Sequence, residues 1–225
     1  MLFFNEIYPV KNIYCISGLG ADHRFFGNLR IDGYSFLPVP WVAFSSDDDM
    51  RSYALKMYHS IPEKDPLILG LSFGGMLTVE MCNSGVIQKG IIVSSAKTKT
   101  ELGYSNPVLK MVYDLKILPA KLFTTPFNIV LYSLGANTNE EKTLLRDIIS
   151  KSDPAFVTWC IKTLLSWENM EIPSGISHIH GTADRTISPK YITTDYWVDG
   201  GSHIMVYNRG EEISRIIEGI LGSNI

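Results

Sequence analysis

A mostly parallel β-sheet covered by helices is the fold class this sequence predicts, on three observations. Apolar, β-branched runs alternate with stretches of helical periodicity, as in successive βα units. The middle runs are continuously apolar, the pattern of strands buried on both faces. The 225 residues, 45% hydrophobic and 19% charged, are enough for one substantial core and suit one domain with an insertion better than two.

Taken in order, the first strand is NIYCIS (12–17), followed by the small-residue stretch Ser17-Gly18-Leu19-Gly20-Ala21-Asp22. YSFLPV (34–39) is the second. The next stretch, SDDDMRSYALKMYHSIP, sets Met50, Tyr53, Ala54, Met57, Tyr58 and Ile61 on one helical stripe behind an acidic first turn. A helix N-terminus explains Asp47, Asp48 and Asp49 more simply than a metal site does. PLILG (66–70) is the third strand, and an apolar helix from Met76 to Asn83 follows, stopping near Gly85 as a C-cap. GIIVSS (90–95) is the fourth.

Residues 97–173 break the alternation, offering helical patterns and no convincing strand. Thr138 with Glu141 has the form of a capping box, and Asp153-Pro154 is an N-cap with proline at the first helical position. Phe156, Cys160, Thr163, Leu164 and Trp167 follow at helical spacing. The segment reads as a helical insertion, a cap over one end of the sheet, which leaves 1–96 and 174–225 as the core. GISHIHG (175–181) and DYWV (195–198) complete about six strands, and the stripe Ile213, Ile216, Ile217, Ile220 and Leu221 is expected to dock a last helix on the sheet.

Composition excludes several classes. Net charge is −3 with no long basic run, so nothing points to a nucleic-acid or anionic-membrane partner. The start, MLFFNEIYPVKN, lacks a basic n-region and is interrupted by Glu6 and Pro9, unlike a secretory signal. No apolar stretch approaches the roughly 20 residues needed to span a bilayer. Cys15, Cys82 and Cys160 are scattered, with no metal-like spacing, and suit a reducing cytoplasm.

The chemistry centres on PLILGLSFGGM (66–76). In Gly70-Leu71-Ser72-Phe73-Gly74-Gly75 a strand must become a helix within a few residues, which forces Ser72 into a tight turn with its hydroxyl exposed. Glycines flank it because a Cβ would collide with the neighbouring strand or helix. The bare motif is weak; the strand before it and the helix behind it make it specific. A tight turn whose serine merely caps the helix is the structural alternative.

A serine hydroxyl is a poor nucleophile and needs a base, a group orienting that base, and oxyanion donors. Among five histidines, His203 in Gly200-Gly201-Ser202-His203-Ile204 follows the last strand and can reach over the sheet's carboxyl end. His178 and His180 lie within a strand as buried structural residues, and His59 ends a surface helix. His23 is the rival base, better placed to line the substrate pocket together with Gly18. Asp184, in Gly181-Thr182-Ala183-Asp184, is the candidate acid, with a turn cap or an Arg185 pair as its structural alternatives. Asp153 and Glu168 could substitute only if the insertion bent back deeply, and Asp195 and Asp199 sit too near the last strand's backbone. For the oxyanion, the backbone amides of Leu19 and Phe73 are the expected donors. A phosphate-loop reading of Ser17–Asp22 lacks both the lysine and a third glycine in register.

The chain order Ser72, Asp184, His203, with its strand-elbow-helix and an insertion before the acid, resembles the α/β-hydrolase superfamily over about residues 13–221. Gly181-x-x-Asp184-x-x-Ile187-x-Pro189 is similar to that family's acid loop and Gly201-x-His203 to its histidine loop. The resemblance implies an α/β-hydrolase fold with a helical cap, and a serine hydrolase whose acyl-enzyme forms on Ser72. It implies no metal or organic cofactor. Tyr104, Leu109, Tyr113, Phe123, Phe127 and Trp159 in the insertion favour a small-molecule ester or thioester with an apolar acyl group. Three departures stand out. Ser17-Gly18 replaces the His-Gly of many members, only about a dozen residues precede the first strand, and the 19-residue step from Asp184 to His203 leaves little room for a helix. A lyase or C–C bond hydrolase on the same residues, and a ligand-binding protein without turnover, remain open alternatives.

Overall fold

The computed structural model describes residues 10–103 and 127–222. Its six strands are β1 (Lys11–Ile16), β2 (Tyr34–Pro38), β3 (Ile68–Leu71), β4 (Gly90–Val93), β5 (Ile176–Gly181) and β6 (Tyr196–Val198). All pair in parallel, in the order β2-β1-β3-β4-β5-β6. Each coincides with an expected strand to within a few residues. The order places the carboxyl ends of β1, β3, β5 and β6 along one rim, with the small-residue loop, Ser72, Asp184 and His203 just beyond them.

Helices cover both faces. Along the strands, Tyr14, Ile16, Ile68, Ile92 and Ile176 belong to one apolar cluster, while Ile13, Cys15, Leu69, Leu71, Ile91, Val93 and Ile179 belong to a second. Helices α1 (Met50–His59) and α2 (Phe73–Asn83) fill the first cluster with Tyr53, Met57, Met76, Leu77 and Val79. The carboxyl-terminal helices α6 (Met205–Asn208) and α7 (Gly210–Gly222) fill the second with Met205, Ile213, Ile217 and Ile220. Asp49 caps α1 in a capping box with Ser52 and Asp48 pairs with Lys56, so two of the three aspartates serve the helix start.

Between β4 and β5 lie α3 (Phe127–Leu134), α4 (Asn139–Lys151) and α5 (Pro154–Leu165). The capping box at Thr138 and the Asp153-Pro154 start of α5 form as expected. Tyr104, Leu109, Tyr113 and Phe123 lie outside the described residues. Trp159 packs with Tyr53, Phe73 and Phe156 in the first main cluster. No helix among the described residues is long and apolar enough to cross a membrane.

Two of the boundary differences bear on the site. The helix after Ser72 begins at Phe73, not Met76, because Gly74 and Gly75 are helical residues that permit close packing rather than turn residues. A Cβ on Gly74 would overlap the carbonyl oxygens of Ile16 and Ser17 in β1 and its loop. Gly74→Ala is therefore expected to destabilise the protein by about 1–3 kcal/mol or more, since backbone cannot move aside as a flexible side chain would. A shift of the urea midpoint measures this, and an unchanged midpoint would contradict the close approach. The second difference is at β4, where Ser94 and Ser95 leave the strand, Ser94 at φ 48 with its amide donating to the Ile179 carbonyl. That turn carries Ser95 beside Ser72.

Candidate active site

Ser72 sits between β3 and α2 at φ 52, ψ −118, a left-handed φ that costs an L-residue about 1–3 kcal/mol. The surroundings hold it there. Its amide donates to the Val93 carbonyl (3.0 Å), and its carbonyl accepts from the Ser95 hydroxyl (2.7 Å) and the Gly75 amide (2.9 Å). Gly70 has no room for a Cβ, which would meet Thr78, the Gly74 carbonyl and the Gly75 Cα (2.6 Å). The same turn leaves the Phe73 amide, at the first position of α2, without an intrahelical acceptor.

His203 follows β6 and Asp184 follows β5, and the two loops meet at Ser72. The His203 Nδ1 donates to Asp184 Oδ2 at 2.8 Å, and its Nε2 lies 3.0 Å from Ser72 Oγ. A carboxylate only accepts, so it assigns the proton to Nδ1 and leaves the Nε2 lone pair facing the serine hydroxyl. The other carboxylate oxygen, Oδ1, accepts from the amides of Thr186 (2.8 Å) and Ile187 (2.9 Å). Asp184 and His203 are both buried. Burial alone would raise the Asp184 carboxyl, but its electrostatic pairing and hydrogen bond with His203, with smaller contributions from His180 and the Ile187 amide, outweigh this and hold Asp184 below the usual carboxylate range. The acid is thus ionised at neutral pH.

The loop after β1 closes on the same point. The Ser17 hydroxyl donates to the Ala21 carbonyl (2.9 Å), and the Ala21 amide to the Gly18 carbonyl (2.9 Å). Ser17 thereby ties the loop across its own base. Gly18 lies so near the serine that a Cβ there would stand 3.1 Å from Ser72 Cβ. Leu19 and Phe73 pack in one cluster. Residues between β4 and β5 reach the rim loops. The Ser152 hydroxyl donates to the Gly20 carbonyl (2.9 Å), the Thr186 hydroxyl to the Ser133 carbonyl (3.0 Å), and Gly135 packs against Ser202.

Other candidates lie elsewhere. His23 is exposed on the 3₁₀ turn His23–Phe26 and lines a groove with Cys15, Phe26, Arg30 and Phe36 that includes none of Ser72, Asp184 and His203. Asp195 accepts from the His178 amide, Asp199 from the Thr182 hydroxyl, Asp153 caps α5 and Glu168 pairs with Lys99. Among the described residues no group of three or more His, Cys, Asp or Glu is arranged to hold a metal. Ser95 was not singled out from the sequence. The parallel register of β3 on β4, Leu71 opposite Val93, is the signal that could have placed it beside the elbow.

His178 is wholly buried, and burial, with the neighbouring His180 and Lys97, holds its imidazole well below the ordinary value. The folded ring stays neutral while the unfolded one takes up a proton below about pH 6.5, so stability falls as pH drops, by up to about 1.4 kcal/mol per pH unit for one histidine. Urea unfolding between pH 7.5 and 5.5 is expected to show this slope in the natural protein and a shallower one in His178→Leu. Identical slopes would contradict a neutral buried ring.

No protein-family model matches the sequence, and no curated protein does either. Solved structures do match, at low identity. A hydrolase from Oleispira antarctica is similar with a TM-score of 0.75 at 14% identity, over 94% of this chain and 91% of that one. A bromoperoxidase from Bacillus anthracis gives 0.71 at 14% identity over 94% and 92%. A lipase-esterase related protein from Clostridium acetobutylicum gives 0.69 at 14% identity over 96% of each. The chain has the α/β-hydrolase fold.

Proposed function

We propose that the protein is a serine hydrolase that cleaves a carboxylic ester or thioester with an apolar acyl group through an acyl-enzyme on Ser72. The observation that carries this reading is the continuous hydrogen-bonded chain from Ser72 Oγ through His203 to the ionised Asp184. In the first half-reaction His203 Nε2 takes the Ser72 proton as Oγ attacks the acyl carbon, and the imidazolium then protonates the leaving alcohol or thiol. In the second, water attacks the acyl-enzyme with His203 again as base, and Ser72 regains its proton. The amides of Leu19 and Phe73 are the donors for the oxyanion in both steps.

Support for an apolar acyl group comes from the aromatic wall beside the elbow. Trp41 lies 6.2 Å from Phe73 and 5.0 Å from Phe156, ring centre to ring centre, and Leu19 packs in the same cluster. Several structural neighbours are named as esterases, and one is an N-acyl homoserine lactonase described in complex with N-hexanoyl homoserine. We read residues 97–173 as a cap over this rim and the three unpaired cysteines as suited to the cytoplasm.

A graded panel of p-nitrophenyl esters and acyl thioesters tests the assignment. Saturable turnover that improves with acyl length is the expected outcome. Turnover of neither class above that of Ser72→Ala would sink the esterase reading and leave the lyase and ligand-binding alternatives.

A further inference from the structure

Strand β5 sets His178 and His180 on one face, both wholly buried, with ring centres 5.2 Å apart. The proposed reaction uses neither ring. His180 is nonetheless against the acid: its Nε2 lies 3.1 Å from the Ile187 carbonyl oxygen and 3.7 Å from Asp184 Oδ2. A carbonyl can only accept, so Nε2 carries the proton, while Nδ1 has no partner among the described residues. Burial holds this imidazole below its ordinary value despite the adjacent carboxylate, which keeps it neutral. Trp197 stands edge-on behind it, ring centres 5.9 Å apart.

Ile187 is thereby held from two sides. Its carbonyl accepts from His180, and its amide donates to Asp184 Oδ1. With Oδ1 taken by the Thr186 and Ile187 amides, Oδ2 is the oxygen that meets His203. We propose that His180 is a positioning residue for the acid, closing residues 184–187 from beneath so that Asp184 meets His203 at hydrogen-bond distance. The inference rests on the serine hydrolase reading above. A neutral donor suits the place: a cation there would compete with the His203 imidazolium for the carboxylate, whereas an apolar side chain would strand the Ile187 carbonyl.

Three measurements test it together. In the natural protein, ¹⁵N NMR of the imidazole is expected to show the Nε2–H tautomer at His180, and the Nδ1–H tautomer would overturn the proposal without any variant. His180→Leu is expected to lower both kcat and the rate of Ser72 labelling by a fluorophosphonate about 10- to 100-fold, with KM little changed, because misplacing a reacting pair by about 1 Å costs that much. His180→Gln, whose amide nitrogen can reach the Ile187 carbonyl, is expected to recover most of the loss. Wild-type rates in the Leu variant, or equal losses in Leu and Gln, would overturn the donor role while leaving Ser72 as the nucleophile. A natural protein that neither labels nor turns over would remove the hydrolase reading and this inference with it.

Discussion

Ser72→Ala is expected to lower turnover of the best ester in the panel by roughly 10⁶-fold, with the fold and its urea midpoint kept. The size follows from the chemistry, because without Oγ there is no acyl-enzyme, and the base and its acid have nothing to activate. Residual hydrolysis would come from oxyanion donors and binding alone. Retention of the fold follows from the structure, since among the described residues the Ser72 hydroxyl is bonded to His203 Nε2 while the turn is held by backbone amides and Ser95. The variant keeps the strained φ of 52, which alanine tolerates no worse than serine. Substantial turnover in Ser72→Ala would remove the serine from the reaction.

Asp184→Asn is expected to cost roughly 10³- to 10⁴-fold in kcat. Here the direction is set by hydrogen-bond polarity. Oδ1 accepts from the Thr186 and Ile187 amides, so the asparagine oxygen must take that place and its NH₂ must face His203. A donor then opposes Nδ1, the proton moves to Nε2, and the imidazole can no longer accept from Ser72. Folding stability is expected to hold better than activity, because both amides keep their acceptor. Near-normal kcat in this variant would transfer the orienting role to another group.

Much of this site is legible in the sequence. Continuous apolar runs marked the buried strands, since parallel strands covered on both faces cannot alternate. The glycines of the elbow announce close approach but not their helical conformation, because Gly74 and Gly75 look the same in a turn and in a helix pressed against β1. His203 and Asp184 could be chosen over their rivals because a parallel sheet brings its carboxyl ends to one rim. What stayed hidden depends on side-chain direction and register. Ser95 became a partner of Ser72 only through the β3–β4 pairing. His180 reads as core filling, because period-two placement within a strand says which face a ring occupies and not that the acid turn folds against it. His23 was expected near the substrate from its closeness in sequence to Gly18, yet the 3₁₀ turn carries it to an exposed groove.

The most direct measurement is peptide mapping after treatment with a fluorophosphonate, in the natural protein and in His203→Ala. One adduct on Ser72, formed rapidly in the first and slowly or not at all in the second, is the expected result. An unmodified Ser72 in folded natural protein, or labelling that proceeds equally fast without His203, would contradict a serine activated by its neighbouring imidazole.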